Sequence, residues 1–322
     1  MSRRVGNALI LLAFLAAASP AAAADYGPPA TAYEQPLELR GSYFEIGARY
    51  WYSTGRTDFD LYDDTGAILV SRLAYDGLDA HSGEIFFRSQ HESGVFVKGY
   101  GGLGVIPGGG LNDEDFPPVI DPYSSTMSAQ KDGNIKYFSA DIGYPFVEFY
   151  AGTGRFQLAG FTGYHYWGET VHAFGCTQTA TNPAICVPTI PETSKVISNE
   201  VRWHSWRVGI MGSIDAGNGL KLTGEAAWVP YTWLDNTDNH HLRPDIDPLP
   251  SDGDGDGLQL EAVLNYDVNE SVSIGAGARY WRLGRTEGHA HFEETPGGGL
   301  AQVAKFQSER YGGFVQASVK LY

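Results

Sequence analysis

The sequence predicts an all-β fold: a transmembrane antiparallel up-and-down β-barrel of about ten strands, with short periplasmic turns and long outer loops. Three observations predict it. The chain opens with an export signal. No later stretch reaches the ~20 consecutive apolar residues that a spanning helix needs. Beyond residue 41, apolar and polar residues alternate with a period of two, as in strands with one wetted and one apolar face. Composition agrees, since 19 Tyr, 16 Phe and 7 Trp favour pleated surfaces and 41 Gly suit turns and crowded barrel interiors.

Residues 1–24 read as a secretory signal peptide. Arg3 and Arg4 form the basic region, Ala8 to Ala18 the apolar run, and Pro20 to Ala24 a small-residue cleavage pattern before Asp25. Val5-Gly6-Asn7 lacks the apolar residues of a twin-arginine signal, which favours the general secretory route. Residues 25–41 are polar and punctuated by proline, and read as a disordered or strapping N-terminal segment. Residues 42–322 carry the barrel. Phe44, Ile46, Ala48 and Tyr50 alternate against Glu45, Gly47 and Arg49. Leu258, Leu260, Ala262 and Leu264 alternate against Gln259, Glu261 and Asn265, and Ile274, Ala276 and Ala278 against Gly275, Gly277 and Arg279. Charge and glycine on the second face suit a narrow polar lumen. Short connections at Gln90–Ser93, Ala151–Gly154, Gly217–Gly219 and Asn269–Glu270 alternate with long ones near Asp63–Thr65, Pro107–Ile135, Phe174–Glu200, Asn236–Gly257 and Glu287–Ala304. Four turns and five loops make ten strands. The last runs from Gly313 to the terminal aromatic Tyr322.

Export implies an oxidising compartment, so Cys176 and Cys186 are expected to form one disulfide stapling an outer loop. A metal site would need more ligands, and none is predicted. The net charge of −16 argues against nucleic acid and suits cationic partners, although solubility alone also accounts for it.

Two acidic motifs fall on long outer loops. The first is Asn112-Asp113-Glu114-Asp115-Phe116, the second Asp235-Asn236-Thr237-Asp238-Asn239-His240-His241. On an extended segment residues i and i+2 face the same way, so Asp113 pairs with Asp115 and Asp238 with His240. A carboxylate beside an imidazole fixes its tautomer and raises its basicity, and two crowded carboxylates tend to share one proton. His241 would point away. Taken singly, each motif is most simply a solvated loop.

In that order along the chain, the two motifs make residues 42–322 resemble the omptin family of outer-membrane proteases. Val70-Ser71-Arg72-Leu73-Ala74-Tyr75 looks like the start of that family's second strand, and Tyr231-Thr232-Trp233 like the strand end before its dyad. The resemblance implies a monomeric, surface-facing endopeptidase in the bacterial outer membrane, acting on peptide or protein substrates. It implies that His240 deprotonates a water, that Asp238 orients His240, and that Asp113 and Asp115 position the water. Substrate-pocket positions fall on Asn236, where members that cleave between basic residues carry an acid, and on Asp58 or Asp60. A basic-residue preference is thus implied, but with one acid replaced. The family's lipopolysaccharide pattern falls on Tyr164-His165-Tyr166-Trp167-Gly168, which keeps the tyrosine and lacks the acid and the arginine. Lipopolysaccharide as an activity requirement stays open, and the aromatics also suit the bilayer interface. No other cofactor is implied.

The alternatives are a non-catalytic structural or adhesive barrel, and a small pore if the inward charges Glu45, Arg49, Lys221, Glu225 and Arg279 fail to plug the lumen. Asp252 to Gly257 resembles a calcium loop, but the twelfth position is Val263, so it reads as a flexible acidic loop. His289 and His291 are too few to hold a metal.

Overall fold

Alternation becomes pairing along the whole chain. The computed structural model describes residues 42–116, 121–244, 246–292 and 301–322. The signal peptide and the whole polar N-terminal segment 25–41 lie outside these residues, as do Gly297–Gly299. The strands are β1 (Tyr43–Tyr62), β2 (Leu69–Asp76), β3 (Ala80–Gln90), β4 (Phe96–Ile106), β5 (Gly109–Asp115), β6 (Ser124–Gln130), β7 (Gly133–Ala151), β8 (Gly154–Gln178), β9 (Ile190–Asp215), β10 (Leu220–His240), β11 (Leu249–Asp267), β12 (Val272–Ala290) and β13 (Gln302–Leu321).

At the short-turn end the pairing order is β1–β3–β4–β7–β8–β9–β10–β11–β12–β13, and β13 closes on β1 through eighteen antiparallel positions from Phe44↔Leu321 to Leu61↔Ala304. That is a ring of ten. Toward the other end the ring continues as β1–β2–β5–β6–β8. So β2 with β3, β4 with β5, and β6 with β7 are single staves, each interrupted once. The breaks are locally coded. Gly77 (φ 63°) and Asp132 (φ 56°) take left-handed turns, and a Cβ on Gly109 (φ 146°) would meet the Asp76 carbonyl at 2.9 Å. Leu78, between the first two pieces, buries its side chain completely.

The short turns fall where the sequence puts them. The connection near Asp63–Thr65 does too, between β1 and β2, but three of the long loops do not. Most of Pro107–Ile135, Phe174–Glu200 and Asn236–Gly257 is strand, and Asp252–Gly257 lies inside β11 rather than in a flexible loop. Above the lipid both faces of a strand can be polar. The apolar alternation used to recognise strands then fades while the backbone ladder continues.

Phe44, Ile46, Ile85, Leu103, Ile210 and Leu264 are exposed on the outer wall, the belt a bilayer requires. Toward the long-loop end Tyr52, Trp206, Tyr231 and Trp233 ring it as an aromatic girdle. Inside, the lumen is filled in tiers. Arg49 and Arg279 share Glu84 at 2.8 and 2.7 Å and Glu261 at 3.2 and 2.6 Å. Arg207 bonds Asp141 at 2.5 Å, and Lys98 bridges Glu225 and Asp141. Above these charges sits a tier of fully buried rings, in which Trp281 packs on Trp51, Tyr137 and Trp167 at 4.8, 5.1 and 5.7 Å between centroids. Higher still come Phe59 stacked on Phe306 at 4.5 Å, with Leu73, Tyr75, Leu111 and Leu234 all buried. The described lumen is thus crossed by ion pairs, then rings, then an apolar plug, and the inward charges Arg49, Glu225 and Arg279 are paired across it.

Candidate active site

The acidic motifs stand directly on that plug. On β5, Leu111 is completely buried, and period-two alternation carries Asp113 and Asp115 up the same inward face. Asn112 and Glu114 fall on the other face, where Asn112 accepts from the Ser125 hydroxyl at 3.2 Å and Glu114 lies opposite Arg72. On β10, a register shift between Val229 and Thr232 resets the alternation, and Thr232, Leu234, Asn236 and Asp238 then point inward, each at most 3% exposed. His240 follows on the same face, with its Nδ1 3.5 Å from Asp238 Oδ2. His241 faces away and meets the Ser198 hydroxyl at 2.9 Å.

Burial dominates the electrostatics. Asp238 is completely buried, and neither of its oxygens takes a hydrogen bond from the described residues. Desolvation therefore drives its carboxyl well above the usual range, and the charges of Asp113 and Asp247 push the same way. Desolvation likewise raises Asp113 to about 7, with Asp115 and Glu114 adding repulsion. Asp115 is also raised by burial, against a bond from the Ser71 side chain and the nearby Arg243 cation. These groups titrate together, so the chamber retains protons near neutrality. A protonated carboxyl beside an imidazole, opposite a carboxylate, is an arrangement that can hold a water and move its proton.

Sequence reasoning missed several neighbours. Tyr75 on β2 is completely buried, its hydroxyl has no hydrogen-bond partner among the described residues, and it lies within the fields of both Asp113 and Asp238. Asn199 on β9 is directly opposite Asp238, at a cross-strand spacing of about 5 Å. Both polar atoms of its amide are buried without a partner, and so are those of Asn236. Counting inward by twos from Trp203 through Val201 would have found Asn199, had 174–200 been read as strand. Tyr75 is reached the same way from Ser71 and Leu73.

Asp58 and Asp60 correct the sequence expectation. They alternate with the buried Thr57, Phe59 and Leu61 and so lie on the outward face. Arg56 Nε donates to Asp58 at 2.9 Å and Arg72 Nε to Asp60 at 2.7 Å. An inward pocket position on β1 would need the other parity, and only Asn236 of the three expected pocket residues faces the chamber. Tyr164 and Tyr166 are outward and cluster with His204 and Trp233, where Tyr164 Oη meets His204 Nδ1 at 2.6 Å, at girdle height. Cys176 and Cys186 form the expected disulfide, with Cα atoms 5.5 Å apart. Among the described residues no cluster of His, Cys, Asp and Glu has the form of a metal site, and His291 instead meets Asp252 at 2.5 Å.

No protein-family model matches the sequence, and no curated protein matches it either. Solved structures do. The outer membrane protease OmpT from Escherichia coli superposes with a TM-score of 0.68 at 12% identity, over 89% of this chain and all of that one. The translocator domain of the autotransporter NalP from Neisseria meningitidis gives 0.37 at 12% identity, over 88% and 90% of the two chains. OprG, an outer membrane protein from Pseudomonas aeruginosa, gives 0.33 at 11% identity, over 88% and 97%. At such identities the first likeness establishes the barrel fold and nothing narrower, and the other two carry no weight.

Proposed function

We propose that the chain is an outer-membrane endopeptidase, with its acidic chamber facing the cell exterior, that hydrolyses peptide bonds with a water activated between Asp238–His240 and Asp113–Asp115. One observation carries the reading. Two motifs 125 residues apart in sequence enter one desolvated chamber from different strands, close enough that the charge of Asp113 acts on Asp238. Structural stability gives no reason to crowd carboxyls on an apolar plug, whereas catalysis does.

In this mechanism His240 accepts the proton of the water as it attacks the scissile carbonyl, and later delivers it to the leaving amine. Asp238 fixes the ring through the 3.5 Å contact, which tightens when substrate excludes solvent. Asp113 and Asp115 hold the water from the opposite side. The protein forms no covalent bond to the substrate. The apolar plug keeps the site dry from below and strengthens every field within it. Peptides reach the rim by electrostatic attraction to a chain of net charge −16.

The test is a peptide library offered to the refolded barrel, with and without lipopolysaccharide. Wild-type cleavage that Asp113→Ala and His240→Ala each abolish supports the reading. Cleavage that persists in both variants removes it.

A further inference from the structure

The barrel's other end holds a charge imbalance that the proposed chemistry does not use. Near the short turns lies a cavity of ≈ 100 Å³, lined in part by Glu45, Arg88, Lys98, Lys221, Glu225 and Gln316. Most charges in and above it cancel. The acids Glu84, Asp141, Glu225 and Glu261 are matched one for one by Arg49, Lys98, Arg207 and Arg279, through the ion pairs already described.

Arg88 and Lys221 are outside that balance. Arg88 stacks on Phe96 at 4.8 Å and points Nη1 at Met211 Sδ, while its buried Nε has no hydrogen-bond partner. Lys221 forms no ion pair or hydrogen bond with any described residue, and the charges acting on it are the cations Arg88, Lys320 and Arg155, opposed by the single acid Glu45. The one acid left on the cavity wall is Glu45, which already accepts from the Ser318 hydroxyl at 2.7 Å. The rim acids are also used locally. Asp215 accepts from the Gly217 backbone at 2.9 Å, and Asp267 from the Ser273 hydroxyl at 2.5 Å. Two cations and one engaged acid therefore face a small chamber inside a wall that lipid surrounds, where unmatched charge is unfavourable.

We propose that this chamber is a binding site for a small oxyanion of the phosphate or sulfate type, held between the Arg88 guanidinium and the Lys221 ammonium. Arg88 offers a planar fork and Lys221 a point charge, a combination that suits a tetrahedral anion. The lining residues lie at the short-turn end of the barrel, so the anion would bind independently of any peptide at the other end. A volume of ≈ 100 Å³ fits a free ion better than a lipid headgroup.

The experiment titrates inorganic phosphate into the full refolded barrel in an uncharged maltoside detergent and reads phosphorus NMR line broadening and the unfolding temperature. Saturable one-to-one binding is expected. Lys221→Gln and Arg88→Gln should each weaken it about tenfold, the loss of one charge-assisted hydrogen bond. Glu45→Gln should tighten it, because it removes the competing acid. Heat-modifiability on gels confirms that each variant has folded. Absence of saturable binding by the wild type overturns the proposal, and so does binding that Glu45→Gln weakens. Binding seen only in phosphatidylglycerol nanodiscs, with none of free phosphate in detergent, also overturns it in favour of a headgroup. None of these readouts involves peptide cleavage.

Discussion

Asp113→Asn should make the barrel more stable as it makes it inactive, and the gain should depend on pH. Burial and the neighbouring acids raise the Asp113 carboxyl from 3.8 to about 7. Each unit is worth about 1.4 kcal/mol, so forcing the folded protein to ionise costs about 4 kcal/mol as an upper bound. Solvent reaching the half-buried side chain screens this to about 2–3 kcal/mol. The sign follows from linkage. Below pH 3.8 both folded and unfolded chains hold the proton, and Asp113 carries no penalty. Between 3.8 and about 7 the unfolded chain ionises while the folded one does not, so stability falls as pH rises, and above about 7 the loss is complete. Asn cannot ionise and escapes this loss. The assay is urea unfolding of the refolded barrel at pH 4 and pH 8.5, followed by tryptophan fluorescence, with the pH 4 difference subtracted to remove the amide's other effects. An unchanged difference between the two pH values would refute the claim that Asp113 is a desolvated carboxyl.

Other predictions follow from the same geometry. His240→Ala should lower kcat by ~10²–10⁴ with little change in heat-modifiability, because the side chain acts on protons rather than on packing. Asn236→Asp should add to the chamber an acid facing the substrate, raising the kcat/KM ratio for peptides with Arg or Lys before the scissile bond relative to neutral ones. A fall in that ratio would remove Asn236 from the pocket. Asp58→Asn and Asp60→Asn should leave the same ratio unchanged, since both side chains lie outside the wall. Cys176→Ser with Cys186→Ser should leave the barrel closed, because ring pairing does not pass through the disulfide, while added protease nicks residues 177–189 faster.

The barrel was legible because lipid enforces a simple code. Wherever one face meets hydrocarbon, as at Phe44–Tyr50 or Leu258–Tyr266, the period of two is visible and strand, face and turn follow from it. That code stops at the girdle. The extended strands β5 and β6 and the upper ends of β8 to β11 present polar residues on both sides, so they read as loops. The acidic motifs survived this error because i and i+2 share a face on a strand whether or not it was recognised as one. Asp58 and Asp60 did not survive it. Counting by twos from the inward Glu45 and Arg49 reaches Thr57 and Phe59 and leaves Asp58 and Asp60 outward, but that parity holds only because β1 runs unbroken past the girdle to Tyr62, where Thr57 meets Glu169 and Phe59 stacks on its paired Phe306. Asn199 was missed because 174–200 read as loop, which hid its place opposite Asp238, and Tyr75 because nothing in its own strand signals the field of Asp238.

A final prediction concerns substrate charge. Asp113, Asp115 and Asp238 are raised chiefly by desolvation, with repulsion from neighbouring acids added at Asp113 and Asp238, and both effects act against the charged form. A bound peptide cation opposes both at once, because an opposite charge within ~4–6 Å favours ionisation. The acid limb of kcat/KM reports the free enzyme and should lie near 7, at the Asp113 value. The acid limb of kcat reports the complex, and for a peptide with Arg beside the scissile bond it should move to lower pH. With a neutral peptide of the same length the two limbs should coincide or cross the other way, since burial by an uncharged ligand only deepens desolvation. Full pH profiles for such a peptide pair separate the cases. If both peptides gave the same displacement, substrate charge would have no hold on the carboxyls, and the chamber's acidity would serve only to attract peptides to the rim.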